Sequence, residues 1–329
     1  MIEALRTPDE RFENLHGYAF QPHYLDSLPG YEGLRLHYLD EGPVDAEKVF
    51  LCLHGNPTWS YLWRRMIPII TAAGHRVVAP DLFGYGRSDK PVDPEVHSFD
   101  FHRGTVTALI EALDLDRITL TVHEWGGTVG LTVPPAMPER FSGLFVMSTL
   151  LATGRPLPEG YRDWKRISAE DEDLNVRAVM ARTNRILNFG ECNAYGAPFP
   201  DARYKTALRV VPSLIPAADD APGAALSREA LAWLGEAWRG SGVMMFGARD
   251  PLIGQRRMME LVNAIPSMAD PFVFEHVGHF TPEWGDEFTV RALQVLAEQD
   301  AIRAAAEDQD DADGDGDGGD APDGPGGDG

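Results

Sequence analysis

The stretch Thr119–Gly130, T-L-T-V-H-E-W-G-G-T-V-G, constrains the fold more than any other. It starts as a β-branched strand, Ile118 to Val122, then packs a carboxylate, a tryptophan and two glycines into four residues before small and apolar residues continue as a helix. That is the shape of a nucleophile elbow. In such a sharp strand-to-helix turn the reactive side chain sits at the tip, with small residues near it because strand and helix approach closely. Glu124 occupies the tip. A carboxylate there implies covalent chemistry through an ester. A surface turn whose acidic residue merely suits a helix N-terminus is the plainer alternative.

The flanking chain supports a sheet in which the elbow strand is central. Val49 to Leu53 is a short continuous apolar run, the pattern of a strand buried on both faces; Arg76 to Pro80 reads as the next buried strand, Leu144 to Ser148 as another apolar strand, and the β-branched Ile118 to Val122 feeds the elbow. Residues 33–41 alternate apolar and polar like a half-exposed strand. Helical patterns over Tyr61 to Ala73 and Phe101 to Leu113 separate these runs with connections too long for hairpins, which predicts a mostly parallel sheet flanked by helices. From 152 to 225 the alternation stops in a Pro-, Gly-, Arg- and Asp-rich segment, with helix-like pieces around Glu170–Asn188 and Arg203–Val211. It reads as an insertion. Beyond it, a helix over Leu226 to Trp238, a strand over Val243 to Phe246, a helix over Arg256 to Ala264, a strand over Phe272 to Phe274 and a helix from Glu287 to about Ala305 resume the pattern. The expected organisation is therefore an α/β core over 1–151 and 226–306, an insertion over 152–225, and a tail over 307–329.

That tail holds ten acidic residues, no basic ones and no apolar periodicity, so it is expected to be disordered. It contributes to a net charge of -22, which argues against nucleic-acid or anionic-membrane partners. The remainder is also acidic, and lysine occurs only at positions 48, 90, 165 and 205. Such a surface resembles those of proteins from high-salt cytoplasms, where dense charge is screened. Two cysteines, Cys52 and Cys192, indicate no disulfide framework. The N-terminal residues lack the apolar core of a signal peptide, and no apolar run is long enough to span a membrane, so a soluble cytoplasmic protein is expected. No metal-ligand spacing and no phosphate-cradling loop is present, and no cofactor is expected. Oligomeric state is not readable.

Four loops at predicted strand ends carry polar groups: H-G-N-P-T-W-S, the elbow, G-A-R-D-P and V-G-H-F. In open parallel sheets chemistry collects at the carboxyl ends of strands. Oxyanion donors, nucleophile, acid and base in this chain order are the order of an α/β-hydrolase. Through F-L-C-L-H-G-N-P-T-W-S-Y-L-W-R, V-A-P-D-L-F-G-Y-G-R-S-D-K-P-V-D, F-H-R, the elbow, Y-G-A-P-F-P-D and G-H-F, most of residues 1–300 resemble a haloalkane dehalogenase, of the subfamily whose catalytic acid follows the strand after the cap. The H-G and G-H-F motifs are shared with epoxide hydrolases; W-G-G and P-T-W-S narrow the likeness.

That resemblance implies an α/β-hydrolase fold with an inserted helical cap. It implies that Glu124 displaces halide from a small apolar halogenated substrate to form an alkyl ester, that His279 activates water against the ester, and that Asp250 orients the imidazole. Backbone N–H groups of Asn56 and Trp125 would form the oxyanion hole, and the indoles of Trp125 and Trp164 would bind halide, with the Asn56 amide a further halide candidate. The family nucleophile is aspartate; here the position holds Glu124. One added carbon–carbon bond of about 1.5 Å moves the carboxylate relative to its donors. Other readings of single residues stand beside these: Asp250 as a local cap, His276 as a rival base, His54 as a brace for the oxyanion loop and His123 as a residue for packing or a structural hydrogen bond. Two whole-chain alternatives also remain, an epoxide hydrolase using Tyr161, Tyr195 or Tyr204 as phenolic donors and a family member without turnover that binds a ligand or partner with its retained pocket.

Overall fold

In the computed structural model, which describes residues 2–314, the apolar runs form one eight-stranded sheet. The strands in chain order are β1 (Ala4–Leu5), β2 (His23–Leu25), β3 (Leu36–Glu41), β4 (Val49–Leu53), β5 (Arg76–Pro80), β6 (Lys90–Pro91), β7 (Ile118–His123), β8 (Phe141–Met147), β9 (Ser241–Gly247) and β10 (Phe272–Phe274). Strands β1 and β6 pair in a small antiparallel ribbon. The others lie in the order β10-β9-β8-β7-β4-β5-β3-β2. Every pair from β10 to β5 is parallel, and β3 alone runs against the others, pairing antiparallel with β5 on one side and with the edge strand β2 on the other. Strands β4, β7 and β9 are buried along their whole length, which is why β4 reads as a continuous apolar run and β7 alternates apolar residues with β-branched threonines. The half-exposed character expected of residues 33–41 is not observed: Leu36 to Leu39 are buried, because β3 lies between β5 and β2 and its one polar member there, His37, is paired with Asp81 at 2.7 Å.

Helices cover the sheet where the sequence places them, with differences at the ends. The expected helix over 61–73 is a 3₁₀ turn, Ser60–Trp63, followed by α1 (Ile67–Ala72), whose first turn holds Pro68. Helix α2 (Phe99–Ala112) starts at Ser98, whose hydroxyl accepts from the Phe101 N–H. Helix α3 (Trp125–Gly130) follows β7 directly. Between β8 and β9 come α4 (Glu159–Glu170), α5 (Val176–Thr183), α6 (Phe189–Gly196), α7 (Thr206–Leu214) and α8 (Ala224–Glu236). Of the helix-like piece expected around Glu170–Asn188, only α5 forms within it. Glu170 ends α4, Asn175 caps α5 by accepting from the Ala178 N–H, and Asn188 opens α6 in a capping box with Glu191. Asparagines that offer the backbone a competing hydrogen bond divide this segment into short helices. After β9 come α9 (Gln255–Asn263) and α10 (Gly285–Gly314). Helix α10 outruns its expected end near Ala305, so residues 307–314 of the expected tail are helical, and residues 315–329 lie outside the described residues.

A buried ion-pair cluster ties the insertion to the core. Arg64 donates to both oxygens of Glu283, at 2.8 and 2.7 Å, and to Glu191 of α6 at 2.9 Å. Arg65 also donates to Glu191 at 2.8 Å, and the Tyr195 hydroxyl of α6 donates to Glu283. Arginine suits this place because its planar fork meets a carboxylate on two bonds and stays charged when buried. Removing the Arg64 cation takes two bonds from Glu283 and one from Glu191, leaving only Arg65 and the Tyr195 hydroxyl to compensate two buried acids, a change worth about 3–5 kcal/mol. Arg64→Leu is therefore expected to lower unfolding stability by roughly that amount in urea titrations. A loss below about 1 kcal/mol, the range of an exposed pair, would show that the cluster does not anchor the insertion.

Candidate active site

The parallel strands β4, β7, β9 and β10 end on one edge of the sheet, and their following loops bring four polar groups into one place. At the end of β7 the backbone turns through Glu124, which has φ +46° and ψ −116°. A non-glycine residue at such angles is costly and persists only where its surroundings hold it. Here the Glu124 carbonyl accepts from the Gly127 and Thr128 N–H groups at 3.0 Å and from the Thr149 hydroxyl at 2.6 Å, while the Glu124 N–H donates to the Ser148 carbonyl at 3.3 Å. Gly126 permits the tightness: a Cβ there would stand 2.1 Å from the Leu53 carbonyl oxygen.

The Glu124 side chain is buried and its two oxygens have different partners. Oε2 accepts from the Asn56 backbone N–H at 2.7 Å, and Oε1 accepts from the Tyr161 hydroxyl of α4 at 2.7 Å. Burial raises the carboxyl pKa. His279, the Asn56 N–H, the Tyr161 hydroxyl and the Trp125 N–H oppose that shift without cancelling it. Gly55 makes room for the longer side chain, since a Cβ at that position would lie 2.5 Å from the Glu124 Cβ and 2.6 Å from Oε2.

His279, in the loop after β10, is buried and bonded through Nδ1 to Asp250 Oδ2 at 2.9 Å. The other Asp250 oxygen accepts from the Leu252 and Ile253 N–H groups at 2.8 and 3.2 Å, so Asp250 both caps its own loop and meets the imidazole. Burial opposes charge on the ring, but Asp250 and then Glu124 outweigh it and raise the His279 pKa; reciprocally, burial disfavours the Asp250 carboxylate and His279 outweighs that, lowering its pKa. The Nε2 of His279 is buried without a protein partner. His276 is turned elsewhere, about half exposed, with its Nε2 3.4 Å from Glu287. His54 braces the oxyanion loop, between the Gly55 carbonyl at 2.9 Å and the Leu82 N–H at 3.0 Å.

The indole N–H groups of Trp125 and Trp164 are both buried without partners. So are those of Trp59, Trp63 and Trp238, so the orphaned donor alone does not mark a binding role. Position adds what chemistry does not. Trp125 follows Glu124 directly, and Trp164 lies three residues from Tyr161 on α4, hence on the same helix face as the phenol that touches Glu124. The Asn56 amide is engaged in the protein, donating to the Leu208 carbonyl at 3.4 Å and accepting from the Tyr85 hydroxyl at 3.2 Å. Among the described residues no group of His, Cys, Asp or Glu has metal-binding geometry.

The family with the description alpha/beta hydrolase fold matches residues 48–286. The haloalkane dehalogenase of Psychrobacter cryohalolentis is 41% identical over 298 residues, which cover 89% of this chain and 97% of that protein. This chain belongs to the haloalkane dehalogenase family. The dehalogenase of Mycolicibacterium paratuberculosis is 39% identical over 305 residues, 92% of this chain and all of that one. Among solved structures, the tetrameric haloalkane dehalogenase DpaA from Paraglaciecola agarilytica NO2 is 44% identical, covers 89% of this chain and 98% of its own, and superposes with a TM-score of 0.87.

One feature of this dehalogenase-family site was not assigned from the sequence. Tyr161 stands out there only as one of three phenols for epoxide chemistry, and its contact with Glu124 is not anticipated. The signal was its spacing from Trp164, but α4 carries so many charged residues that its buried face is hard to recognise. His123 takes the packing and structural hydrogen-bonding place expected of it. Its Nε2 lies 3.0 Å from the His279 carbonyl and its ring 4.9 Å from the His279 ring, so it supports the imidazole from below.

Burial, then the neighbouring His279 charge, pushes the His123 pKa down to about 3. The folded protein keeps this ring neutral where the unfolded chain, near the ordinary 6.5, takes up a proton. Between these values the unfolded state binds more protons, so His123 makes stability rise with pH and fall as the medium is acidified. Its full share is about 1.4 kcal/mol per pH unit. In urea titrations from pH 6 down to pH 4, His123→Gln is expected to flatten the slope by up to that amount; an unchanged slope would mean that His123 is protonated in the fold.

Proposed function

We propose that the chain hydrolyses the carbon–halogen bond of small organohalides, giving alcohol and halide, through an alkyl ester on Glu124. The observation that carries the reading is a buried carboxylate at the elbow tip of a dehalogenase-family chain, flanked by backbone donors and by a buried His–Asp pair. A Glu124 oxygen attacks the halogenated carbon from the side opposite the halogen. The new C–O bond forms as the C–X bond breaks, and halide leaves with the electron pair. The unpartnered indole N–H groups of Trp125 and Trp164 would receive it, each a neutral donor on a large apolar body.

Hydrolysis of the ester follows. His279 Nε2 takes a proton from water as the water oxygen attacks the ester carbonyl. Asp250 stabilises the charged ring, and the Asn56 and Trp125 N–H groups hold the oxyanion. Collapse breaks the acyl carbon–alkoxy oxygen bond, the alcohol takes a proton, and the carboxylate is restored. The balance is organohalide plus water to alcohol, halide and one proton.

The α4–α7 insertion would act as the cap, covering the carboxylate and excluding water until hydrolysis, so the working divisions are the core over 1–151 and 226–306 and the cap over 152–225. Among the described residues no helix is long and apolar enough to cross a membrane. A cytoplasmic, high-salt setting fits the acidic, lysine-poor composition.

The test is bromide release from 1-bromobutane and 1,2-dibromoethane in high salt. The parent is expected to turn over. Glu124→Gln should lose release altogether, and His279→Gln should stop after one turnover, leaving a butyl adduct on the peptide that contains Glu124, seen by mass spectrometry. Because the His279 pKa is raised, the acid side of the pH–rate profile should fall above the ordinary histidine value of 6.5. A silent parent with an active Glu124→Asp variant would mean that turnover was lost at this residue. A second reading, epoxide opening, is favoured by the Tyr161 hydroxyl beside the carboxylate; hydrolysis of 1,2-epoxybutane with no bromide release would install it in place of the first.

A further inference from the structure

The Tyr161 hydroxyl is buried and has one acceptor, Glu124 Oε1. The other carboxylate oxygen, Oε2, faces the Asn56 N–H and would become the carbonyl oxygen of the ester. Oε1 is therefore the oxygen that attacks, and attack changes what Tyr161 can do. A carboxylate oxygen accepts strongly; the same atom as the single-bonded oxygen of an alkyl ester carries no charge and accepts weakly. The leaving halide cannot replace it, because in-line displacement sends the halide to the far side of the carbon. The phenol cannot discharge itself by ionising either, since burial and then the Glu124 charge push its pKa well above the ordinary value. A buried donor left without an acceptor is costly, so the reaction strands Tyr161 unless the substrate supplies one.

Geometry says where that acceptor belongs. Reacting atoms lie about 3–3.5 Å apart before attack, and the Tyr161 oxygen is 2.7 Å from Oε1. Substituents of the attacked carbon spread sideways as it inverts, so the adjacent carbon and what it carries pass beside Oε1, where the phenol stands. We propose that Tyr161 is a specificity-determining residue, and that this site favours organohalides bearing a hydrogen-bond acceptor, such as an ether oxygen, on the carbon next to the halogenated one. The inference rests on the dehalogenation reading and narrows its substrate class from simple haloalkanes to oxygenated ones.

Two bromides of nearly equal shape test it: 1-bromobutane and 1-bromo-2-methoxyethane, in which an oxygen replaces one methylene. The readout is the ratio of their kcat/KM values, which is independent of how much variant protein is active. Tyr161→Phe is expected to cut the ether-to-alkane ratio roughly tenfold, the scale of one buried donor regaining or losing its partner. Equal loss on both substrates, or no change in the ratio, would overturn the assignment and leave Tyr161 a packing or positioning residue. If Tyr161→Phe does not fold, the parent answers alone. Moving the oxygen one carbon further, in 1-bromo-3-methoxypropane against 1-bromopentane, should lose the preference, and an equal preference at both positions overturns the proposal. Release of bromide from none of the four by the parent sinks the dehalogenation reading itself and this inference with it.

Discussion

Glu124 has to hold a backbone conformation that side chains other than glycine rarely adopt, and much of the structure exists to keep it there. At φ +46° the residue stays in place because its carbonyl accepts from the Gly127 and Thr128 N–H groups and the Thr128 hydroxyl of α3 and from Thr149 on the loop after β8, and because its N–H reaches Ser148. Those bonds need β7 and β8 in register and α3 close against β4, and α3 approaches because Gly126 carries no side chain toward the Leu53 carbonyl. Strain at one residue is thus balanced by the order of three strands. The result aims one carboxylate into a closed space with a fixed orientation, which is the use such strain commonly serves at functional sites.

Burying an acid is expensive unless donors surround it, and the chain meets that cost the same way in several places. Asp81 accepts from the Ser60 and Arg87 N–H groups and from His37, Asp250 from two loop N–H groups and His279, and Glu283 from Arg64 and Tyr195. For Asp81 and Asp250 the donors outweigh burial and the pKa falls. Glu124 differs. Its donors are a backbone N–H pair and a neutral phenol, with His279 nearby, and burial prevails. A carboxylate whose donors do not fully compensate its burial keeps its reactivity. A full ion pair of the Arg64–Glu283 kind would be more stable and a poorer nucleophile.

How far the sequence reveals this depends on the element. Strands β4, β5, β7 and β8 are legible because burial on both faces leaves short runs dominated by apolar and β-branched residues. The loops that follow are legible because tight turns demand particular residues. Helix α4 is not. It presents one narrow apolar face, Tyr161 and Trp164, within a run of charged residues, and Asn175 and Asn188 then break the chain into pieces too short for a clear period. Strand β3 misleads for a different reason, since its alternation of polar and apolar residues is satisfied inside the fold by the His37–Asp81 pair and not by solvent. Contacts between a cap-like insertion and a strand-end loop, such as Tyr161 with Glu124, have no local pattern at all, being separated by 37 residues and set only by packing.

The longer acid and the phenol are best understood together. A glutamate at the tip carries its carboxylate about one bond length further from the backbone than an aspartate would, and a group on a longer stem has one more rotatable bond with which to miss its target. The two hydrogen bonds at 2.7 Å, Asn56 N–H to Oε2 and Tyr161 hydroxyl to Oε1, fix both oxygens and so remove that freedom. Gly55 leaves the space in which the extra methylene lies. The positioning that a shorter side chain gets from its backbone is supplied here from outside by α4, an element of the insertion. Precision at the nucleophile therefore depends on the docking of that insertion, and the buried Arg64 cluster that holds α6 to the core bears indirectly on the place of one oxygen atom.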